Sequence, residues 1–224
     1  MPKPSDKGSQ KSLRGRPARI SPGDIANAAL RCGLHDLTMT SLAAELGVRH
    51  SALYRHVKDR DAVISLAAAQ AIENLDWEKS AADWKSEAIL LGQALWNLFS
   101  TNSGLAEIIQ DPRYQSVAGA ASFCGAVDHF VSFGFDEMDA AVFLDSIFDM
   151  TADMVSTLER FEQFLEKNET QFADTTASMQ DDSRFRVMQR VMELINTDPQ
   201  AWWQRKMTLL ISGAEQIYLS ADDR

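Results

Sequence analysis

The stretch TSLAAELGVRHSALYRHV, residues 40–57, constrains the fold more than any other. Leu42, Leu46, Val48 and Leu53 are spaced to form the core of two short helices that cross steeply. Such a crossing needs a small residue at the contact, which Ala43 supplies. It also needs a tight turn, which Gly47 supplies because a positive φ is cheap only for glycine. Thr40 or Ser41 is the expected cap of the first helix, and the second is predicted over about 51–57. Upstream, Ser21 followed by Pro22 reads as an N-cap with proline at the first helical position. Ile25, Ala28, Ala29 and Cys32 then make the stripe of a helix ending near Gly33, able to cover the pair.

This packing turns Arg49, His50, Ser51, Tyr54, Arg55 and Lys58 outward. In a helix-turn-helix, the N-terminal part of the second helix enters the major groove of DNA. Arg55 can donate two hydrogen bonds to guanine, and His50 can donate or accept at a base edge. Tyr54 offers a ring to a thymine methyl and a hydroxyl to phosphate, while Lys58 and Thr40 suit backbone anchoring. The bland alternative is a solvated basic helix, which the ordered Ala43–Gly47–Leu53 core argues against. Charge agrees when it is counted by region. Residues 1–60 hold eleven Lys/Arg and five Asp/Glu, a balance of +6, and the rest of the chain carries −16. Screening over a Debye length of ~8 Å confines polyanion attraction to the basic part. Residues 1–19 are predicted to be disordered. Their Lys11, Arg14, Arg16 and Arg19 read either as an arm that follows phosphates or as a solubilising tail.

Beyond Asp61 the pattern is helical nearly to the end, with segments expected at about 61–75, 83–101, 104–110, 116–133, 136–166, 184–195 and 199–220. A polar, uneven stretch at 168–183 reads as a loop. Alternating β-branched runs are absent, so the chain is expected to be all-α: an N-terminal three-helix DNA-binding domain with a helix-turn-helix, and a larger helical domain for ligand binding and dimerisation. The expected divisions are a 1–19 arm, a 20–60 DNA-binding domain and a 61–224 body. Cys32 and Cys124 lack any metal or redox spacing, and no leader or membrane span is legible. The expectation is a soluble, cytoplasmic chain with no cofactor and no metal.

GRPARIS, followed by LTMTSLAAELGVRHSALYRHVKDRDAVISLAA, resembles the N-terminal domain of tetracycline-repressor (TetR) family transcription regulators. The likeness is strong over about residues 14–72. It continues weakly in FGFDEMDAAVFLDSIFDMTADM and WWQRKMTLLISGAEQIYL. The resemblance implies a dimeric, ligand-responsive regulator, usually a repressor. It places the DNA contacts on Thr40, His50, Ser51, Ala52, Tyr54, Arg55, His56 and Lys58. Arg55 stands where the tetracycline repressors carry tryptophan and His50 where they carry glutamine, which implies a different operator. Asp149 and apolar residues stand where those repressors hold a drug-bound metal through histidines, so a metal–tetracycline ligand is not expected.

The segment 136–166 is apolar on two sides. The last helix sets Trp203, Met207, Leu210 and Ile217 beside small Ser212, Gly213 and Ala214. Both features suit a homodimer interface, or else a core closed within one chain. Trp84, Trp96, Phe99, Phe123, Phe130 and Met150, with polar His129 and Asp149 among apolar neighbours, are candidates to line a ligand pocket or to form ordinary core. The leading functional expectation is a repressor released from a palindromic double-stranded DNA operator by an unknown small molecule. The alternative is a DNA-binding dimer governed by a protein partner or by no ligand. No phosphate loop, metal spacing or nucleophile grouping points to an enzyme.

Overall fold

The computed structural model describes residues 20–75, 81–180 and 182–219, and among the described residues every regular element is a helix. The basic arm expected at 1–19 lies outside them.

Helix α1 (Pro22–Cys32) starts at a reciprocal cap. Asp24 N–H donates to Ser21 Oγ at 3.1 Å, and Ser21 N–H donates to the Asp24 carboxylate at 2.9 Å. The Ser21 hydroxyl, and then its N–H, hold the Asp24 pKa below the usual carboxylate range. Helix α2 (Met39–Glu45) is capped by Thr38 rather than by Thr40 or Ser41. Ser41 N–H donates to Thr38 Oγ1 at 3.0 Å and Thr38 N–H to Ser41 Oγ at 3.1 Å, so Ser41 serves as the third-position partner of the cap. Gly47 follows at φ 65°, and Val48 N–H closes the turn onto Ala43 O at 2.9 Å. Helix α3 (His50–Leu53) is shorter than the predicted segment. One more turn nevertheless continues through Val57, whose N–H donates to Leu53 O at 3.0 Å.

Leu42, Ala43 and Leu53 are buried between α1, α2 and α3, with Leu46 and Val48 partly buried beside them. Fully burying each leucine contributes about 1.5–3 kcal/mol. Helix α4 (Arg60–Glu73), capped by Asp59, closes this core with Val63, Ile64 and Ala67. It then carries Ala68, Ala71 and Ile72 into the body. One apolar cluster therefore runs through both regions.

The body comprises α5 (Trp84–Thr101), α6 (Leu105–Gln110), α7 (Val117–Ser132), α8 (Glu137–Gln180), α9 (Arg186–Thr197) and α10 (Pro199–Leu219), with a 3-10 turn at Pro112–Tyr114 after α6. Helix α8 packs on α5, α6, α7 and α10. Its Phe143, Leu144, Ile147, Met154 and Val155 are all buried, so much of its two-sided apolar surface finds partners within this chain. Trp203 of α10 donates to Thr151 Oγ1 at 2.9 Å, which satisfies a buried pair.

The loop expected at 168–183 is not there. Helix α8 runs on to Gln180, with a break in helical geometry at Asn168, where φ is −138°. Phe172 packs on Phe161 at 5.1 Å, and the Gln189 side chain of α9 donates to Met179 O. The apolar residues across the break are too sparse to reveal a stripe by spacing alone, and contact with α9 completes the helix.

Candidate nucleic-acid interface and interior cavity

Thr40, His50, Ser51, Tyr54, Arg55, His56 and Lys58 are all exposed, and Ala52 is half-buried. They stand on a scaffold whose Leu53 is fully buried and whose Val57 is nearly so. The His50 and Tyr54 rings meet edge-to-face at 5.2 Å, which fixes the Tyr54 ring while leaving its residue 49% exposed. The Lys58 ammonium lies 3.9 Å from Asp59, with its side chain 91% exposed, so it is free to swing to a phosphate. The segment that follows α3 thus presents two cationic donors, Arg55 and Lys58, beside a polar and aromatic edge.

A seam ties this face to the body. Arg60, the first residue of α4, donates to Leu37 O at 2.7 Å, Leu34 O at 3.0 Å and His35 O at 3.1 Å, clamping the α1–α2 connection. Leu34 N–H donates to Ser103 O at 2.8 Å. Gly104 has φ 80°, and a Cβ there would lie 2.6 Å from His35 N, so only glycine allows this approach. Glu159 of α8 accepts the Gly104 N–H at 3.1 Å.

On the body side of α4, a cavity of about 330 Å³ opens between α4, α7 and α8. Ala68, Ala69 and Ile72 form one wall, and Ile109, Tyr114, Gln115 and Ser116 form a second. Gly119, Ala120, Phe123, Cys124, Asp145 and Phe148 complete it. The Tyr114 hydroxyl donates to Asp61 Oδ1 at 3.0 Å. Burial first, and the Asp61 carboxylate second, push the Tyr114 pKa up. One side chain therefore touches both the cavity and the start of the helix that closes the helix-turn-helix core.

Of the residues expected at a pocket, Phe123 lies on this cavity. Trp84 and Phe130 instead join Phe135 and Phe143 in an aromatic cluster with ring separations of 5.2–5.8 Å. Trp96 packs on Trp203 at 5.3 Å, and Phe99, fully buried, on Phe148 at 5.7 Å. Met150 packs at the core margin. His129 Nε2 is buried 3.7 Å from Glu87 Oε1 without a hydrogen bond among the described residues. Glu87 is itself buried and accepts Ala81 N–H at 2.6 Å. Asp149 is exposed and off the cavity lining, whereas Asp145, one turn earlier and also exposed, borders the cavity. Tyr114, Asp145 and Arg60 escaped the sequence reading. The Asp145–Asp149–Asp153 spacing marks an exposed acidic stripe but does not say which member borders the cavity.

No family model matches the chain, and no curated protein matches it. Solved structures do. Apo ActR from Streptomyces coelicolor is 18% identical with a TM-score of 0.67, covering 90% of this chain and 98% of that one. The TetR family protein ActR in complex with actinorhodin is 21% identical with a TM-score of 0.65, over 88% and 96%. A point variant of TetR from Acinetobacter baumannii AYE in complex with minocycline is 18% identical with a TM-score of 0.63, over 89% and 99%. The chain has the all-α fold of these regulators, a small helix-turn-helix unit on a larger helical body.

Proposed function

We propose that this chain is a ligand-responsive transcriptional regulator that acts as a homodimer and represses from a palindromic operator. The observation that carries this reading is the exposed set His50, Ser51, Tyr54, Arg55 and Lys58, raised on a buried helix-turn-helix core. The shared fold with ActR bound to actinorhodin and a TetR variant bound to minocycline supports the ligand part. The cavity against α4 supports it independently.

In this reading, residues 20–60 contact DNA and 61–224 bind ligand and partner. A small molecule regulates only if it binds the DNA-incompetent state more tightly than the competent one. Tyr114 is the residue placed to carry that difference. A ligand that displaces its ring disturbs Asp61, and the neighbouring Arg60 clamp then shifts the α1–α2 connection under the recognition helix. Dimerisation is assigned to α10, where Leu209 is 75% and Ile217 60% exposed. Nearby Ser212 is exposed and open space surrounds Gly213, so a second helix can approach closely. No described helix is long and apolar enough to cross a membrane.

The test is selection of a duplex from random double-stranded DNA by the full chain. An inverted repeat is the expected product, with affinity that falls steeply as salt rises because several phosphates are neutralised. Failure to enrich any duplex, or enrichment with salt-independent binding, overturns the reading.

A further inference from the structure

We propose that the cavity between α4, α7 and α8 takes an apolar organic cation, held by an aromatic and aliphatic wall and by the Asp145 carboxylate. This rests on the regulatory reading above and narrows it to a ligand class.

The wall favours a flat apolar body. Ala68 and Ile72 line one side and Phe123 and Phe148 another of a half-open cavity of about 330 Å³, room for a fused two-ring skeleton. Asp145 is the charged side chain on the described lining. It is exposed at the mouth of the cavity and, among the described residues, makes no hydrogen bond or ion pair, so no protein group competes with a ligand for it. No basic residue on that lining compensates it. Arg113, whose guanidinium lies 5.2 Å from the centroid of the Tyr114 ring, is paired with Asp111 through bonds of 3.0 and 2.7 Å.

Two further carboxylates lie near the site. Asp149 lies one turn from Asp145, and partial burial, then Asp145 and Asp153, push its pKa up. Asp61 stands behind the Tyr114 hydroxyl at 3.0 Å. An anion entering here meets like charge, and a neutral ligand gains no charge pairing from Asp145. A cation supplies what the lining lacks, and a carboxylate–cation contact is stronger than its neutral counterpart.

Calorimetry of the full chain with naphthylmethylammonium, naphthylmethanol and naphthoate separates the three cases on one skeleton. The cation is expected to bind about tenfold tighter than the alcohol, in line with a charged hydrogen bond, and the naphthoate weakest. Asp145→Asn is expected to bring the cation down to the alcohol's affinity, with alcohol binding and the thermal midpoint retained. Asp153→Asn removes an equal charge from the same helix away from the lining and is expected to keep the preference. The proposal is overturned if none of the three binds or if cation and alcohol bind equally. It is also overturned if the preference survives Asp145→Asn or is lost equally in Asp153→Asn. Binding of the selected duplex, measured on the same preparation, separates the failures. A chain that binds the duplex without preferring the cation loses only this proposal, whereas one that binds no duplex loses the regulatory reading beneath it.

Discussion

Leu53 and Arg55 stand two positions apart and perform opposite tasks. Leu53 is fully buried under the short helix, while Arg55 is exposed at its end. Arg55→Ala is therefore expected to cost about 1–3 kcal/mol in affinity for the selected duplex and to relax sequence preference at one position. The thermal midpoint should stay unchanged; unchanged duplex affinity in a gel-shift would remove Arg55 from the interface. Asp149 supplies a second prediction at this scale. Its pKa is raised, by partial burial first and by Asp145 and Asp153 next, so the fold favours its protonated form. A raised folded pKa means stability that is fully present below the usual carboxylate range and lost as pH rises through the folded value. Asp149→Asn is neutral at every pH, so it should raise the melting temperature at neutral pH and have little effect in acid. A neutral-pH melting temperature equal to that of the parent would contradict this.

At the scale of elements, α4 is the helix that matters most. Its first half seals the helix-turn-helix core and its second half walls the cavity, while Arg60 and Asp61 at its start bond to opposite sides. Tyr114→Phe keeps the ring and removes only the hydrogen bond to Asp61, which should cost about 1–2 kcal/mol of stability. The Tyr114 pKa is raised by burial and then by Asp61, so its contribution is present below about pH 10, the ordinary tyrosine value, and fades above it. The parent should thus lose stability more steeply than the phenylalanine variant as alkali is added. Parallel pH–stability curves would show that Tyr114 does not make this contact in solution. Helix α8 carries a different lesson: its run to Gln180 through the break at Asn168 depends on α9, which a local reading of polar residues cannot include.

At the scale of the whole molecule, the apolar surface left outside the core is the guide. Trp203, Met207 and Ala214 of α10 are consumed within the chain, whereas Leu209 and Ile217 of the same helix remain exposed. Leu209→Glu should convert a dimer to a monomer in sedimentation and weaken duplex binding, because two half-sites would no longer be gripped together. A dimer that persists in this variant would move the interface off α10. In the proposed reading the local cations Arg49, Arg55 and Lys58 meet the polyanion: residues 20–60 balance to only +1, most of the +6 of residues 1–60 falls in residues 1–19, and the acid that brings the chain to −10 lies beyond residue 60.

Local chemistry determined the N-terminal unit. The Ser21 cap, the stop at Gly33, the positive φ at Gly47 and the burial of Leu42, Ala43 and Leu53 all depend on residues close together in the chain, and spacing alone exposes them. The all-α class followed for the same reason. Tertiary packing decided the body. Whether Trp84, Trp96, Phe99 and Phe130 line a void or fill one depends on helices many residues apart, since every apolar side chain satisfies a stripe equally well. The same holds for Asp145 against Asp149, which differ by one turn on one helix and are both exposed: only the placement of α7 and α4 beside α8 puts the first on the cavity lining and the second off it.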